Sequence, residues 1–146
     1  MFYNLKPGMF IEGANGPVTF QANVQVALVP DQREYQLEER STLEQNHMVG
    51  LYVTKPGTKL ESGKTQADGD VFDSAHLTFR VGTTDIMRRV YLRQILNANE
   101  AGCPFEVSLP DAINLRESIL QVMDEGNIAA GTVVEFQAVY LKNARR

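Results

Sequence analysis

Tryptophan is absent, cysteine occurs once and histidine twice among the 146 residues, and each scarcity excludes something. With Cys103 alone, no intrachain disulfide can form, which suits a cytoplasmic folding environment. Cys103 stands before Pro104 without an adjacent histidine, so its surroundings give no support to a nucleophile. His47 and His76 lie far apart, and neither belongs to an H-x-H, H-E-x-x-H or C-x-x-C cluster. Both are therefore expected to be packed or surface histidines rather than metal ligands. Basic excess is missing too: the formal charge of -4 argues against a dedicated duplex nucleic-acid binder. Long apolar runs are missing as well. MVGLYV falls far short of the roughly 18 residues that a membrane-spanning helix needs. The opening MFYNLKPGMFIEG has no basic region followed by an apolar stretch and a small-residue cleavage site, so it does not look like a secretory signal.

What is present is ordinary globular material. Hydrophobic residues make up 43% and charged residues 22%, a balance that argues against disorder. A chain of this length forms one domain and can bury roughly 68–70% of its unfolded surface, enough for a core without staples. The clearest pattern is GPVTFQANVQVALVP. Val18, Phe20, Ala22, Val24, Val26 and Leu28 share one parity, and Thr19, Gln21, Asn23, Gln25 and Ala27 share the other. A period of two predicts a strand with one buried face and one wet face. The wet face carries amides and a hydroxyl but no charge, which makes Gln21, Asn23 and Gln25 candidate contacts to another protein.

Similar alternation marks Tyr35 and Leu37; Val49, Leu51 and Val53; Leu77, Phe79 and Val81; and Val134, Phe136, Ala138 and Tyr140. Pro30-Asp31 predicts a turn, TLEQN a loop or a single helical turn, KLESGKTQADGD an exposed turn or long hairpin tip, and NANEAGCPF a loop. Two stretches are open between helix and strand. In 86–96, Ile86, Val90 and Leu96 could share a helix face, or the β-branched content could make a strand followed by a turn. In 113–123, Asn114 and Glu117 could form a capping box, or ILQVM could be a buried strand. The sum is about eight short strands and at most two short helices, with no βαβ rhythm. That predicts an all-β antiparallel sandwich or barrel. Its domain would run over 18–142, after an N-terminal arm or edge strand (1–17) and before a basic tail (143–146). In the first segment Phe2, Tyr3 and Phe10 are candidate contacts to a neighbour.

Motifs that carry chemistry are scarce. GTKLESGKT approaches a phosphate-binding loop, but Gly57 and Gly63 enclose five residues where four are required, and no strand-then-helix context surrounds Lys64 and Thr65. Asp68, Asp70 and Asp73 could offer oxygens to a cation. Their spacing does not match the helix–loop–helix calcium pattern, and aspartate and glycine favour a turn there anyway. Arg88, Arg89 and Arg93, with Arg145 and Arg146, are candidate contacts to phosphate or an acidic partner; the alternative is pairing with this chain's own carboxylates. No catalytic set, cofactor site or metal site is expected.

The succession Arg33-x-Tyr35-x-Leu37, HMVGLYV, a long polar hairpin, HLTFRVG, VYLRQIL and PFEVSLPDAINLRES resembles the single jelly-roll capsid, vertex (penton) and minor capsid proteins of icosahedral bacteriophages. The resemblance spans about 18–142 and rests on strand spacing. It implies an antiparallel β-sandwich of jelly-roll type, with eight strands in two four-stranded sheets. It also implies a non-enzymatic virion subunit, assembled in the host cytoplasm and built into rings such as pentamers through contacts with copies of itself and other capsid proteins. Peripheral contact with nucleic acid or lipid headgroups would accompany this. From a different class, the competing expectation is a carbohydrate- or receptor-binding β-sandwich of a phage tail or adhesin. The missing tryptophan weighs against it. The tyrosines do too, since Tyr3, Tyr35, Tyr52, Tyr91 and Tyr140 lie mostly on strand-like stretches.

Overall fold

The computed structural model describes residues 12–13, 16–39, 41–44, 46–109, 115–123 and 128–142. Along the chain run β1 (Glu12–Gly13), β2 (Gly16–Pro17), β3 (Thr19–Ala27), β4 (Glu34–Gln36), the single turn α1 (Ser41–Glu44) and β5 (His47–Val53). They are followed by β6 (Thr65–Gln66), α2 (Gly69–Ser74), β7 (His76–Val81), β8 (Thr84–Tyr91), α3 (Leu92–Glu100), β9 (Phe105–Leu109), β10 (Ile119–Gln121) and β11 (Thr132–Leu141). β1 and β2 pair as a short ribbon of their own. The remaining antiparallel strands form two sheets. One has the order β3-β11-β5-β9, with β6 added in parallel to β11; the other has the order β4-β10-β7-β8.

From β3 onward the chain crosses from one sheet to the other at most connections, staying in one sheet only from β5 to β6 and for the β7–β8 hairpin. Its first long strand ends up paired with its last, Val24 opposite Phe136 and Val26 opposite Val134. This is the jelly-roll connectivity, two Greek keys wound into a sandwich. The β7–β8 hairpin turns on two residues, with Val81 opposite Thr84. Gly82 takes φ 60°, while Thr83 keeps a negative φ. A left-handed first position alone is the type II′ turn, which glycine enters without steric cost.

Between the sheets, Phe79, Leu77 and Leu120 from one side meet Phe136, Leu51 and Met48 from the other, all fully buried. The rings of Phe79 and Phe136 meet edge to face at 6.4 Å and 85°, the arrangement that the aromatic quadrupole favours. β3 follows its sequence parity: Val24 and Val26 are buried, whereas Gln21 and Asn23 are exposed.

Four local expectations need correction. Val49 does not share a face with Leu51 and Val53. The ladders of β5 with β11 and with β9 both shift register around Met48 and Gly50, and such a bulge re-aims one side chain. Met48 thereby joins the main core, while Val49 joins Val139 and Leu141 in a separate cluster with Tyr52.

Second, 86–96 is both of its alternatives in turn, the end of β8 and then the start of α3. Third, residues 97–100 of the expected loop belong to α3, because Leu92, Ile95 and Leu96 give the helix a buried face at the spacing one turn requires. The Asn99 side chain then ties α3 to the sheet. Its Oδ1 accepts from the Val53 backbone N–H (2.8 Å), and its Nδ2 donates to the Leu51 carbonyl (3.2 Å) beyond the end of β9. Fourth, the expected hairpin tip at 59–70 ends in β6 and the start of α2, with Ala67 and Gln66 buried.

Of 113–123, the described part is a turn at 115–117 followed by β10; Asn114, half of the expected capping box, lies outside the described residues. Phe2, Tyr3, Phe10, Arg145 and Arg146 also lie outside them.

Candidate functional site: a polar cleft on the outer face of the larger sheet

β11 is central in its sheet, so its outward residues are flanked on both sides. In register, Glu135 lies opposite Gln25 and Gln137 lies opposite Asn23. Strict alternation therefore gathers two amides from β3, an amide and a carboxylate from β11, and Thr54 from the end of β5 onto one patch. Glu135 is its hub. Its Oε1 accepts from Asn23 Nδ2 (2.9 Å) and Gln25 Nε2 (3.0 Å), and its Oε2 accepts from Thr54 Oγ1 (2.9 Å). Gln137 Nε2 donates to Asn23 Oδ1 (3.2 Å). Below it, Gln66 donates to the Glu135 and Thr54 carbonyls and accepts the Glu135 N–H.

Glu135 is only 9% exposed. Burial pushes its carboxyl pKa up, but hydrogen bonds from Gln25, Asn23, Thr54 and Gln137 more than offset this and hold it below the usual glutamate value. Neutral donors thus keep a secluded carboxylate ionised.

The loop between β5 and β6 forms the wall. The Leu60 N–H donates to Lys64 O and the Gly63 N–H to Leu60 O, closing a tight turn in which Gly63 takes φ 85°. Lys59 bridges to Thr65, and Leu60 is buried. Between wall and sheet lies a cleft of about 540 Å³, lined by Asn23, Gln25, Glu135, Gln137, Leu60 and the polar residues Lys59, Glu61 and Ser62. Of the sequence candidates, Asn23 and Gln25 line it, while Gln21 stands exposed further along the same face.

The arginine candidates lie elsewhere, on and after β8, an edge strand whose ladder with β7 is twice irregular. Arg88 is 3.7 Å from Asp85, and Arg93 binds Asp73 at 2.8 Å while lying over the Phe72 ring. Arg89 has no carboxylate partner among the described residues. Its φ of 51° is left-handed, and its N–H donates to Thr78 Oγ1 (3.1 Å). Asp68 caps α2 by accepting the Val71 N–H (3.2 Å). No group of three or more metal-ligating side chains occurs among the described residues, and none of their helices is long and apolar enough to cross a membrane.

His76 on β7 is 4% exposed, packs against the Tyr91 ring at 5.1 Å, and leaves its buried Nδ1 without a hydrogen-bond partner. Desolvation, and then the nearby Arg89 charge, hold its pKa below the usual histidine value. Its ladder neighbours, Tyr91 and Gln121, bring no opposite charge. The unfolded chain therefore takes up this proton at higher pH than the folded one. Stability should be intact above about pH 6.5 and decline as pH falls from there toward the folded value. Urea titrations between pH 8 and 5 should show that decline, and His76→Leu should remove it. An identical pH slope in the variant would assign the effect to other groups.

Sequence reasoning missed Glu135, although a signal existed. It is a lone carboxylate in the apolar run TVVEFQAVYL, on the outward parity. The wall residues gave no such signal, because nothing local to KLESGK says what it folds against. No protein-family model, curated protein or solved structure matches this chain.

Proposed function

We propose that this jelly-roll sandwich is a non-enzymatic, self-assembling subunit of a virion shell, a vertex or minor coat protein of a bacteriophage, acting through repeated contacts with copies of itself. The observation that carries the reading is the sheet pair β3-β11-β5-β9 and β4-β10-β7-β8 with crossover connections. It makes a stiff wedge that presents loops at its ends and an outer sheet face to neighbours. Cyclic symmetry repeats one heterologous contact around a ring, so a modest contact per subunit suffices for a stable assembly. The exposed Gln21, further along the outer face of β3 than the cleft, supplies an uncharged polar point suited to such a contact. Phe2, Tyr3 and Phe10 would act as a clasp on the adjacent copy. Arg88 and Arg89, exposed on β8, would meet phosphate groups of nucleic acid or lipid at the periphery.

Mass photometry together with light scattering tests the reading. The expected species is a discrete ring, at an integer multiple of the 16.3 kDa chain. Deleting residues 1–13 should dissolve the ring while leaving the subunit folded, as read by circular dichroism. A monomer at every concentration up to about 100 μM, where even a weak contact of Kd near 10 μM would be mostly occupied, would overturn the proposal.

A further inference from the structure

We infer that the cleft above Glu135 is a binding site for a neutral saccharide, read through its hydroxyl groups by Asn23, Gln25, Glu135, Gln137 and the Lys59–Ser62 loop. The inference does not depend on assembly. At about 540 Å³, the cleft lies in the size range of small-ligand sites. Its lining selects the chemistry. An apolar ligand would cover amides, a carboxylate and a hydroxyl without satisfying them, which is costly. An anion would face an ionised Glu135, with Glu61 at the rim. A bare cation would approach Lys59, and would meet a Glu135 Oε1 already engaged by two amide N–H groups.

A sugar hydroxyl both donates and accepts, so it can serve a carboxylate and an ammonium or amide at adjacent points. The lining offers that alternation. Among the described residues the side chains of Lys59 and Glu61 make no hydrogen bond or ion pair, the Ser62 hydroxyl accepts one hydrogen bond, from Gln25 at 3.4 Å, and Gln137 holds Asn23 with its nitrogen. The floor is also preorganised. Asn23, Gln25, Thr54, Gln66 and Gln137 already fix one another around Glu135, so a ligand need not order them on binding.

The test is a ¹H–¹⁵N NMR titration with D-glucose, D-galactose, D-mannose and N-acetylglucosamine to about 20 mM, enough to saturate a site of Kd near 1 mM. D-glucosamine and D-glucuronate serve as charged comparisons. The expected result is saturable shifts at Gln25, Gln137 and residues 59–62 with at least one neutral sugar, weaker with both charged ones. Gln137→Ala should weaken that affinity about tenfold, the value of one well-placed hydrogen bond. Ser62→Ala, on the exposed loop, is the second variant if Gln137→Ala fails to fold, and should weaken binding in the same direction. Three results would overturn the inference: no saturable shift with any neutral sugar, preference for a charged one, or unchanged affinity in the folded variant.

Discussion

Phe136→Ala should lose about 3–5 kcal/mol of folding stability, as much as any core truncation among the described residues. Phe136 is fully buried at the middle of β11, paired in register with Val24 on one side and Val53 on the other. Its ring crosses the interior to meet Phe79 edge to face at 6.4 Å, so it belongs to both sheets energetically. Truncation removes the transfer gain of the ring, the aromatic contact and the filling of the space between the layers. The sandwich cannot close that space, because ladder hydrogen bonds hold the sheets' backbones in place. Against a total of about 5–15 kcal/mol for a typical domain, the loss would lower the melting temperature by roughly 6–20 °C. Urea unfolding of the variant beside Gln21→Ala measures it. Gln21 sits exposed on the other face of the same sheet, and its truncation should change stability by less than about 0.5 kcal/mol. Similar midpoints for the two variants would show that the layers do not pack as described.

Glu135→Ala should cost about 1–3 kcal/mol for a different reason. It removes no large apolar volume, but it takes the acceptor from Asn23, Gln25 and Thr54 at once. Of those donors, Gln25 and Thr54 are only partly open to water, so solvent replaces the carboxylate incompletely. The cost carries a pH signature. Because the folded-state pKa is depressed, the ionised group stabilises the fold at and above the unfolded value, about 4.3, and that contribution disappears as pH falls through the lower folded value. The gap between wild type and Glu135→Ala should therefore be full at neutral pH and narrow below about pH 4.3. A constant gap down to pH 3 would assign the loss to packing alone.

The two variants illustrate what local sequence can and cannot say. Phe136 was legible as core because Val134, Phe136, Ala138 and Tyr140 alternate without interruption, and alternation is a property of the strand itself. Glu135 was legible as outward by the same rule, but not as a hub. Its partners lie on β3 and after β5, and only strand order puts them beside it. Val49 was misplaced because a bulge depends on two facing ladders rather than on one chain segment. The helical character of 97–100 was hidden because Asn97 and Asn99 favour loops in isolation, until Asn99 finds backbone groups of β5 to satisfy.

By itself the sequence determined that this protein is an antiparallel sandwich and which faces of its main strands are dry, since period-two patterning and turn residues act over a few bonds. Only the tertiary structure decided the winding, β11 between β3 and β5, and with it the ionised carboxylate under a polar loop. Pairing between residues more than a hundred positions apart, such as Asn23 and Glu135, follows from where whole strands dock, not from their neighbours in the chain.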